Sequence, residues 1–271
     1  MELKTTKYDV DGHVATLTLS RPHRRNAWVG RMTTEFRWLL QEAEQDPTVR
    51  VLILTGDGDD FCVGADFRAL EDVVERGRYD PGTGPDLAKP GYGVAPQFDQ
   101  PFAHMMALET PIIAAINGAV AGIGFVAMCY CDLRFAARGA RLTAAHGPLG
   151  LPPEGGLSWL LPRMIGITRA NDLLLSSRKF LAEETEGWGL FNEILEPGGL
   201  MPHVREYAEF LATTVAPSSL KAAKRQIYMD QHRDVGEAVL DAGRRVVAMM
   251  GESDYREGVA AIMDNRPPRW D

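Results

Sequence analysis

No run of apolar residues in the 271-residue chain approaches the roughly 18 needed to cross a bilayer, so no membrane span is expected. Met1 to Leu19 has acidic and basic residues scattered through it where a signal peptide would have an apolar segment, which makes the cytoplasm the expected compartment. Cysteine is scarce: Cys62, Cys129 and Cys131 are odd in number and sit among apolar neighbours, which points to buried free thiols in a reducing compartment. Cys129-x-Cys131 is too little for a metal site, and His13, His23, His104, His203 and His232 form no cluster with ligand spacing, so no metal is expected. Positive charge is in deficit. A net charge of −8 argues against nucleic acid as a partner, since phosphate binding needs a basic face. Any anionic ligand would need a local cluster of positive charge, and one stands at Arg21, His23, Arg24 and Arg25.

What is present is core. A 45% hydrophobic content supports a sizeable interior in one large domain or two small ones. The most informative stretch is Pro111 to Asp132, PIIAAINGAVAGIGFVAMCYCD. Ile112 to Ile116 is a short continuous apolar run, which at this length reads as a strand buried on both faces. Asn117-Gly118 breaks it, and Gly122-Ile123-Gly124 opens a helix with no polar face, again a mark of burial. A glycine-rich bend between buried strand and buried helix aims free backbone N–H groups at whatever lies in front of it, as an anion or oxyanion site requires. In the plainer alternative the glycines only allow close strand-to-helix packing. Val51 to Thr55 is a second buried strand, followed by the turn-forming Gly56-Asp57-Gly58-Asp59-Asp60 and then Phe61-Cys-Val-Gly-Ala-Asp66.

The rest of the chain alternates elements. Lys7 to Val10 and His13 to Leu19 flank Asp11-Gly12 as a hairpin. Met32, Phe36, Leu39, Leu40 and Ala43 recur at helical spacing until Asp46-Pro47. A helix is expected through Leu70 and Val74, a Gly/Pro-rich loop from Gly77 to Pro101, and a helix containing Phe102, Met105, Met106 and Leu108. Strands are expected at Leu133–Ala136, Ala140–Thr143 and Leu190–Leu195. Amphipathic helices are expected at Leu200–Val215, Ser218–Met229, Val235–Met250 and Ser253–Met263. Strand-turn-helix units with an all-helical last third indicate an α/β fold, divided here into a core (1–197) and a helical C-terminal region (198–271).

Together Gly64-Ala65-Asp66 and Asn117-Gly118-Ala119-Val120-Ala121-Gly122-Ile123-Gly124 resemble the G-A-D and N-G-x-x-x-G-x-G segments of the crotonase superfamily, also called the enoyl-CoA hydratase/isomerase family. Three further segments resemble that family in order along the chain. They are Arg21-Pro22 with Asn26-Ala27, Pro153-Glu154 through Leu161-Pro162-Arg163, and Glu257-Gly258 through Arg266-Pro267-Pro268. The resemblance implies stacked ββα units with a C-terminal region that forms a homotrimer, or a dimer of trimers. It implies an acyl-CoA substrate as partner, with coenzyme A entering as part of the substrate and no separate cofactor. It implies that the N–H groups of Ala65 and Ile123 hold the thioester oxygen as it becomes an enolate. Gly64, Asp66 and Gly122 beside that site would bind the CoA together with Arg24, Arg25 and Ala27, and Arg266 would assist. Tyr79, Tyr92 and Phe98 could wall the acyl pocket.

The resemblance also marks a departure. The two positions where the family's hydratases carry glutamates are Val126 and His146 here, and valine cannot move a proton. Glu154 stands where the family's isomerases keep their proton-moving carboxylate. Its plainer role would be a charge at a helix start. Asp66 could cap the helix behind it, and His146 could be either an acid/base or a structural histidine. The expected activity is proton transfer and double-bond isomerisation with Glu154. The alternatives are hydration in fatty-acid β-oxidation with Glu154 and His146, carbon–carbon bond hydrolysis with His146 as base, and non-catalytic acyl-CoA binding.

Overall fold

A computed structural model describes residues 1–77 and 87–270. The chain opens with the antiparallel hairpin β1 (Thr6–Asp11) and β2 (Val14–Leu19), turned at Gly12. Next come α1 (Gly30–Gln45), β3 (Val51–Gly56) and α2 (Phe67–Arg76), then β4 (Ile112–Ile116), the short β5 (Val120–Ala121) and α3 (Ile123–Cys129). β6 (Leu133–Ala137), β7 (Arg141–Thr143), α4 (Leu157–Ile165), α5 (Ile167–Ser176), β8 (Phe180–Leu181) and β9 (Glu193–Leu195) complete the alternating part. The remainder is α6 (Pro197–Thr214), α7 (Pro217–Met229), α8 (Val235–Met249) and α9 (Ser253–Met263).

The main sheet has the order β1-β2-β3-β4-β6-β9 and is parallel from β2 onward. A smaller sheet, β5-β7-β8, runs beside it. Single parallel bridges at Trp28 with Ala65 and at Cys62 with Val120 extend that second row toward the N-terminal end of the chain. Each pass of chain therefore lays one strand in the main sheet, a short extended piece in the second row, and usually a helix. This is the stacked ββα arrangement that the sequence resemblance implied.

Alternation along β3 explains the two cores. Leu52 and Leu54 face the interior between sheet and helices, together with Leu17, Phe36 and Ala114. Val51 and Ile53 face the other side, where Leu200, Val204, Ala208 and Ala212 of α6 cover them. Both faces of β3 and β4 are thus sealed, as their unbroken apolar runs required.

The structure departs from expectation in places. The segment around Phe102 is a 3-10 helix (Ala103–Ala107) rather than an α-helix, entered through Phe102 at φ 63 directly after Pro101, and this leaves no run long enough for α-helical bonding. The strand read across Leu190–Leu195 forms only at Glu193–Leu195, where β6 offers a partner. The three thiols are buried and unbridged. Burial pushes those of Cys62 and Cys129 up to about 12, which makes them inert as nucleophiles. No helix of the described residues is long and apolar enough to cross a membrane.

Candidate active site

β3 and β4 are parallel neighbours, so the segments leaving their C-terminal ends start side by side. Two hydrogen bonds keep them together: Cys62 N–H donates to the Ala119 carbonyl at 3.1 Å and Ala121 N–H to the Cys62 carbonyl at 2.9 Å. Past the single bridge of Cys62 with Val120, the two segments lead through Gly64 and Gly122 to Ala65 and Ile123. The two glycines before them touch, since a Cβ on Gly122 would lie 3.8 Å from the Gly64 Cα. Among the described residues, neither the Ala65 nor the Ile123 N–H donates to a protein acceptor. The result is a pair of adjacent free donors, the arrangement needed to hold one oxyanion from two sides.

Gly124 shows that the packing and oxyanion readings are not rivals. A Cβ there would lie 2.6 Å from the Cys62 carbonyl oxygen and 2.7 Å from the Cys62 Cβ, so only glycine lets α3 approach the chain following β3 this closely. The close packing is what brings Ile123 beside Ala65.

Asp66 is engaged in support. Its carboxylate accepts from Arg68 N–H at 3.1 Å and pairs with Arg21 at 3.0 Å, so it caps the start of α2. Burial alone would raise its pKa, but the Arg68 N–H and the Arg21 guanidinium outweigh this and hold it below the usual carboxylate range.

The basic loop divides into committed and uncommitted charges. Arg25 and Asn26 both adopt left-handed backbone, at φ 52 and 55. The fully buried Asn26 side chain ties the loop down by accepting from Arg21 N–H and donating to the carbonyls of Asp57 and Asp60. Arg25 forms a two-pronged pair with Asp60, at 2.7 and 2.9 Å, and Asp60 also accepts from Ala119 N–H. Ala27 spends its N–H on Arg24 and its carbonyl on Arg21. Arg24 is exposed and makes no ion pair among the described residues, so it is the loop's available cation.

Arg266 does not converge with this loop. It pairs with Glu257 at 2.6 Å, and Glu257 also receives the Arg269 N–H. Trp270 in the same tail accepts from Arg50, which lies just before the first residue of β3. The tail thus sits near the N-terminal end of a strand whose other end, about 20 Å away, leads to Ala65. Within one chain Arg266 is remote from Arg24 and Arg25.

Glu154 is exposed and its carboxylate has no hydrogen-bond partner among the described residues. It precedes the left-handed pair Gly155-Gly156 and lies outside the first turn of α4, so it is not the helix-start charge that its sequence position allowed. Val126 packs against the same turn, since a Cβ on Gly155 would lie 2.4 Å from its Cγ1. The position that the family's hydratases use for a carboxylate therefore borders Glu154's turn but presents only methyl groups.

His146 is buried, at 5% exposure. Its Nε2 lies 2.9 Å from the Leu174 carbonyl, so Nε2 carries the proton and the neutral ring's lone pair is on Nδ1. Nδ1 is buried and has no partner among the described residues. The ring is tied to the end of α5, and the next residue is tied there too, through Gly147 N–H to Ser177 Oγ at 3.0 Å.

Beyond Gly155-Gly156 lies an open cavity of about 600 Å³. Phe98, Met106 and Tyr130 form its floor, with Trp159 and His232 on its walls. The two wall rings stack, with centroids 5.5 Å apart. Of the aromatics expected to wall an acyl pocket, Phe98 lines this cavity and Tyr92 instead faces His104 and Arg37. Tyr79 lies outside the described residues.

Residues 9–271 match the enoyl-CoA hydratase/isomerase family model. The chain belongs to that family. As a member it is an enzyme acting on CoA thioesters. It is 34% identical over 263 residues to a 1,2-epoxyphenylacetyl-CoA isomerase of Escherichia coli K12, covering 96% of each chain. It is 28% identical to a short-chain-enoyl-CoA hydratase of Clostridium acetobutylicum, over 98% of this chain and 97% of that one. A crystal structure of an enoyl-CoA hydratase from Polaromonas sp. JS666 superposes with a TM-score of 0.84 at 26% identity, over 98% and 99% of the two chains. These relatives of the hydratase/isomerase family include both isomerase and hydratase, so family membership leaves the reaction to be argued from this chain's own residues.

Some positioning residues escaped the sequence reading. Asn117 joins the end of β4 to the turn after β3, accepting from Gly56 N–H and donating to the Gly56 and Gly58 carbonyls. Asn26 and Asp60 do the same for the basic loop. The asparagines were visible in the motifs, but their long-range partners follow only from the fold.

Proposed function

We propose that this family member moves a proton between carbons of an enoyl-CoA thioester, shifting the double bond, with Glu154 as the proton carrier. The observation that carries this reading is the state of the candidate side chains. Asp66 is engaged by Arg21 and Arg68, position 126 is apolar, and His146 is buried against α5, whereas Glu154 presents an uncommitted carboxylate. In the proposed cycle Glu154 removes the proton from the carbon next to the thioester carbonyl. The electron pair spreads into a dienolate whose oxygen accepts from Ala65 and Ile123 N–H, and Glu154 returns the proton at the far end of the double bond. No water is added, and CoA enters and leaves as part of the substrate. The cavity lined by Phe98 and Trp159 would take the distal part of the acyl group.

A second reading makes His146 the proton carrier, either alone in carbon–carbon bond hydrolysis or with Glu154 in hydration. The unpartnered Nδ1 lone pair favours it. A panel of 2-enoyl-, 3-enoyl- and 3-oxoacyl-CoA thioesters, followed by mass spectrometry and absorbance, separates these outcomes. A moved double bond without mass change supports the proposal. Gain of water or loss of an acyl fragment supports the second reading, and turnover confined to either would overturn the first.

The CoA phosphates would be met by Arg24. Arg24→Ala is expected to weaken acyl-CoA binding and to flatten its salt dependence, because an exposed cation facing phosphate is screened by salt. Arg25→Ala should act mainly through the loop it pins to Asp60. Equilibrium titration at two ionic strengths checks this, and unchanged affinity for Arg24→Ala would remove the assignment.

Self-association through the C-terminal helices completes the reading. α8 buries none of its residues, and Val235, Val239, Val247, Ile262 and Met263 on α8 and α9 stand 65–82% exposed. Apolar faces of this extent are normally covered. A trimer or a dimer of trimers is expected by light scattering, and a monomer at micromolar concentration would contradict it.

A further inference from the structure

Among the described residues the Glu154 carboxylate has no hydrogen bond to hold it, and the two residues that follow are glycines. The Glu154 backbone carbonyl accepts from Leu157 N–H at 3.1 Å, and the side chains that hold the turn come from α3. Ile123, Val126 and Tyr130 follow one another at i, i+3 and i+7, so they share one face of the helix. The first carries the candidate oxyanion donor. The other two meet the Glu154 turn, about 5–10 Å further along the axis. Tyr130 Oη donates to the Gly155 carbonyl at 2.8 Å. A Cβ on Gly156 would come within 2.9 Å of that same oxygen, so the turn lies directly on the tyrosine. Among the described residues, this is the one side-chain hydrogen bond received by residues 148–156.

We infer that Tyr130 is the positioning residue for Glu154: its hydroxyl holds the Gly155 peptide so that the carboxylate one residue earlier is presented at a set distance from Ile123, the candidate oxyanion donor on the same helix. The inference rests on Glu154 being the proton carrier. Tyr130 suits the task because it is 6% exposed, and burial, with the neighbouring Cys129 adding to it, raises its pKa, so it remains a neutral donor over the working pH range. Donor and acceptor ends of the chemistry are then referenced to one rigid element, and a displacement of the base by about 1 Å is enough to slow proton transfer strongly.

The test is a double-mutant cycle read by α-proton exchange, with octanoyl-CoA incubated in D2O and analysed by mass spectrometry. Tyr130→Phe keeps the ring and removes the hydroxyl. It is expected to slow exchange about 10–10²-fold, with octanoyl-CoA affinity and melting temperature near those of the wild type. In the Glu154→Gln background the same change should have no further effect, since there is no base left to position. Wild-type exchange by Tyr130→Phe, or an equal loss in both backgrounds, would overturn the inference, the latter because the tyrosine would then be acting on the fold or the oxyanion donors. Should Tyr130→Phe fail to fold, Tyr130→Met fills the site without a hydroxyl and is read against the same outcomes. Exchange by Glu154→Gln at the wild-type rate would instead strike the base assignment, and the role of Tyr130 with it.

Discussion

Glu154→Gln is expected to lower turnover about 10²–10⁴-fold, the usual loss when a positioned general base is removed. The substitution keeps the shape of the side chain and changes only its basicity. Because the carboxylate is exposed and makes no hydrogen bond among the described residues, the fold should not register the change. Acyl-CoA affinity should also persist, since the proposed oxyanion donors are backbone groups on Ala65 and Ile123, which the substitution leaves in place. His146→Gln is the matched control. Glutamine retains an N–H for the Leu174 carbonyl, and if the histidine only holds the end of α5 the cost should be less than about tenfold. The opposite pattern, with His146→Gln dead and Glu154→Gln near normal, would transfer the chemistry to the Nδ1 lone pair of the histidine.

The second large effect is expected at a residue with no side chain. Gly124→Ala would place a methyl group 2.6 Å from the Cys62 carbonyl oxygen and 2.7 Å from the Cys62 Cβ, and neither can move without shifting the strand-end segment that carries Ala65. The start of α3 must retreat, which parts Ile123 N–H from Ala65 N–H. Losing one oxyanion donor typically costs about 10²–10³ in rate, and overpacking at such a contact about 1–3 kcal/mol in stability. Rates should therefore be compared at a temperature where circular dichroism shows the variant folded. A folded Gly124→Ala enzyme with normal turnover would mean that the closeness of the two loops is only packing.

The fold was largely legible because its signals are local. Unbroken apolar runs at Val51 and Ile112 gave buried strands, the i/i+3/i+4 spacing of Met32, Phe36 and Leu39 gave α1, and four amphipathic periods gave α6 to α9 within a few residues of their observed ends. The 3-10 segment at Ala103–Ala107 was misread because its apolar content matches a helix, while the left-handed entry at Phe102 is a backbone property no residue type announces. The candidate site was legible only where its parts are contiguous. Gly64-Ala65 and Gly122-Ile123 could be read as loops, and the fold sets them abreast. The basic cluster could be read as a run of charges but not sorted into paired and unpaired ones, since the pairing of Arg25 with Asp60 spans 35 positions. Arg266 looked like a helper by charge alone, and its distance from the loop follows from the course of the chain. Tyr130 read as one more core residue of α3, because a hydrogen bond to a backbone carbonyl 25 positions on leaves no mark in the sequence.

In the proposed chemistry the N–H groups of Ala65 and Ile123 stabilise an enolate formed by loss of a proton to Glu154. This is tested most directly by incubating the wild-type enzyme with a saturated acyl-CoA such as octanoyl-CoA in D2O and measuring α-deuteration by mass spectrometry. Steady incorporation is expected with the wild type, and near loss of it in both Glu154→Gln and Gly124→Ala. An enzyme that turns over an enoyl-CoA yet leaves the saturated thioester's α-protons unexchanged, or that exchanges them equally well without Glu154, would contradict it.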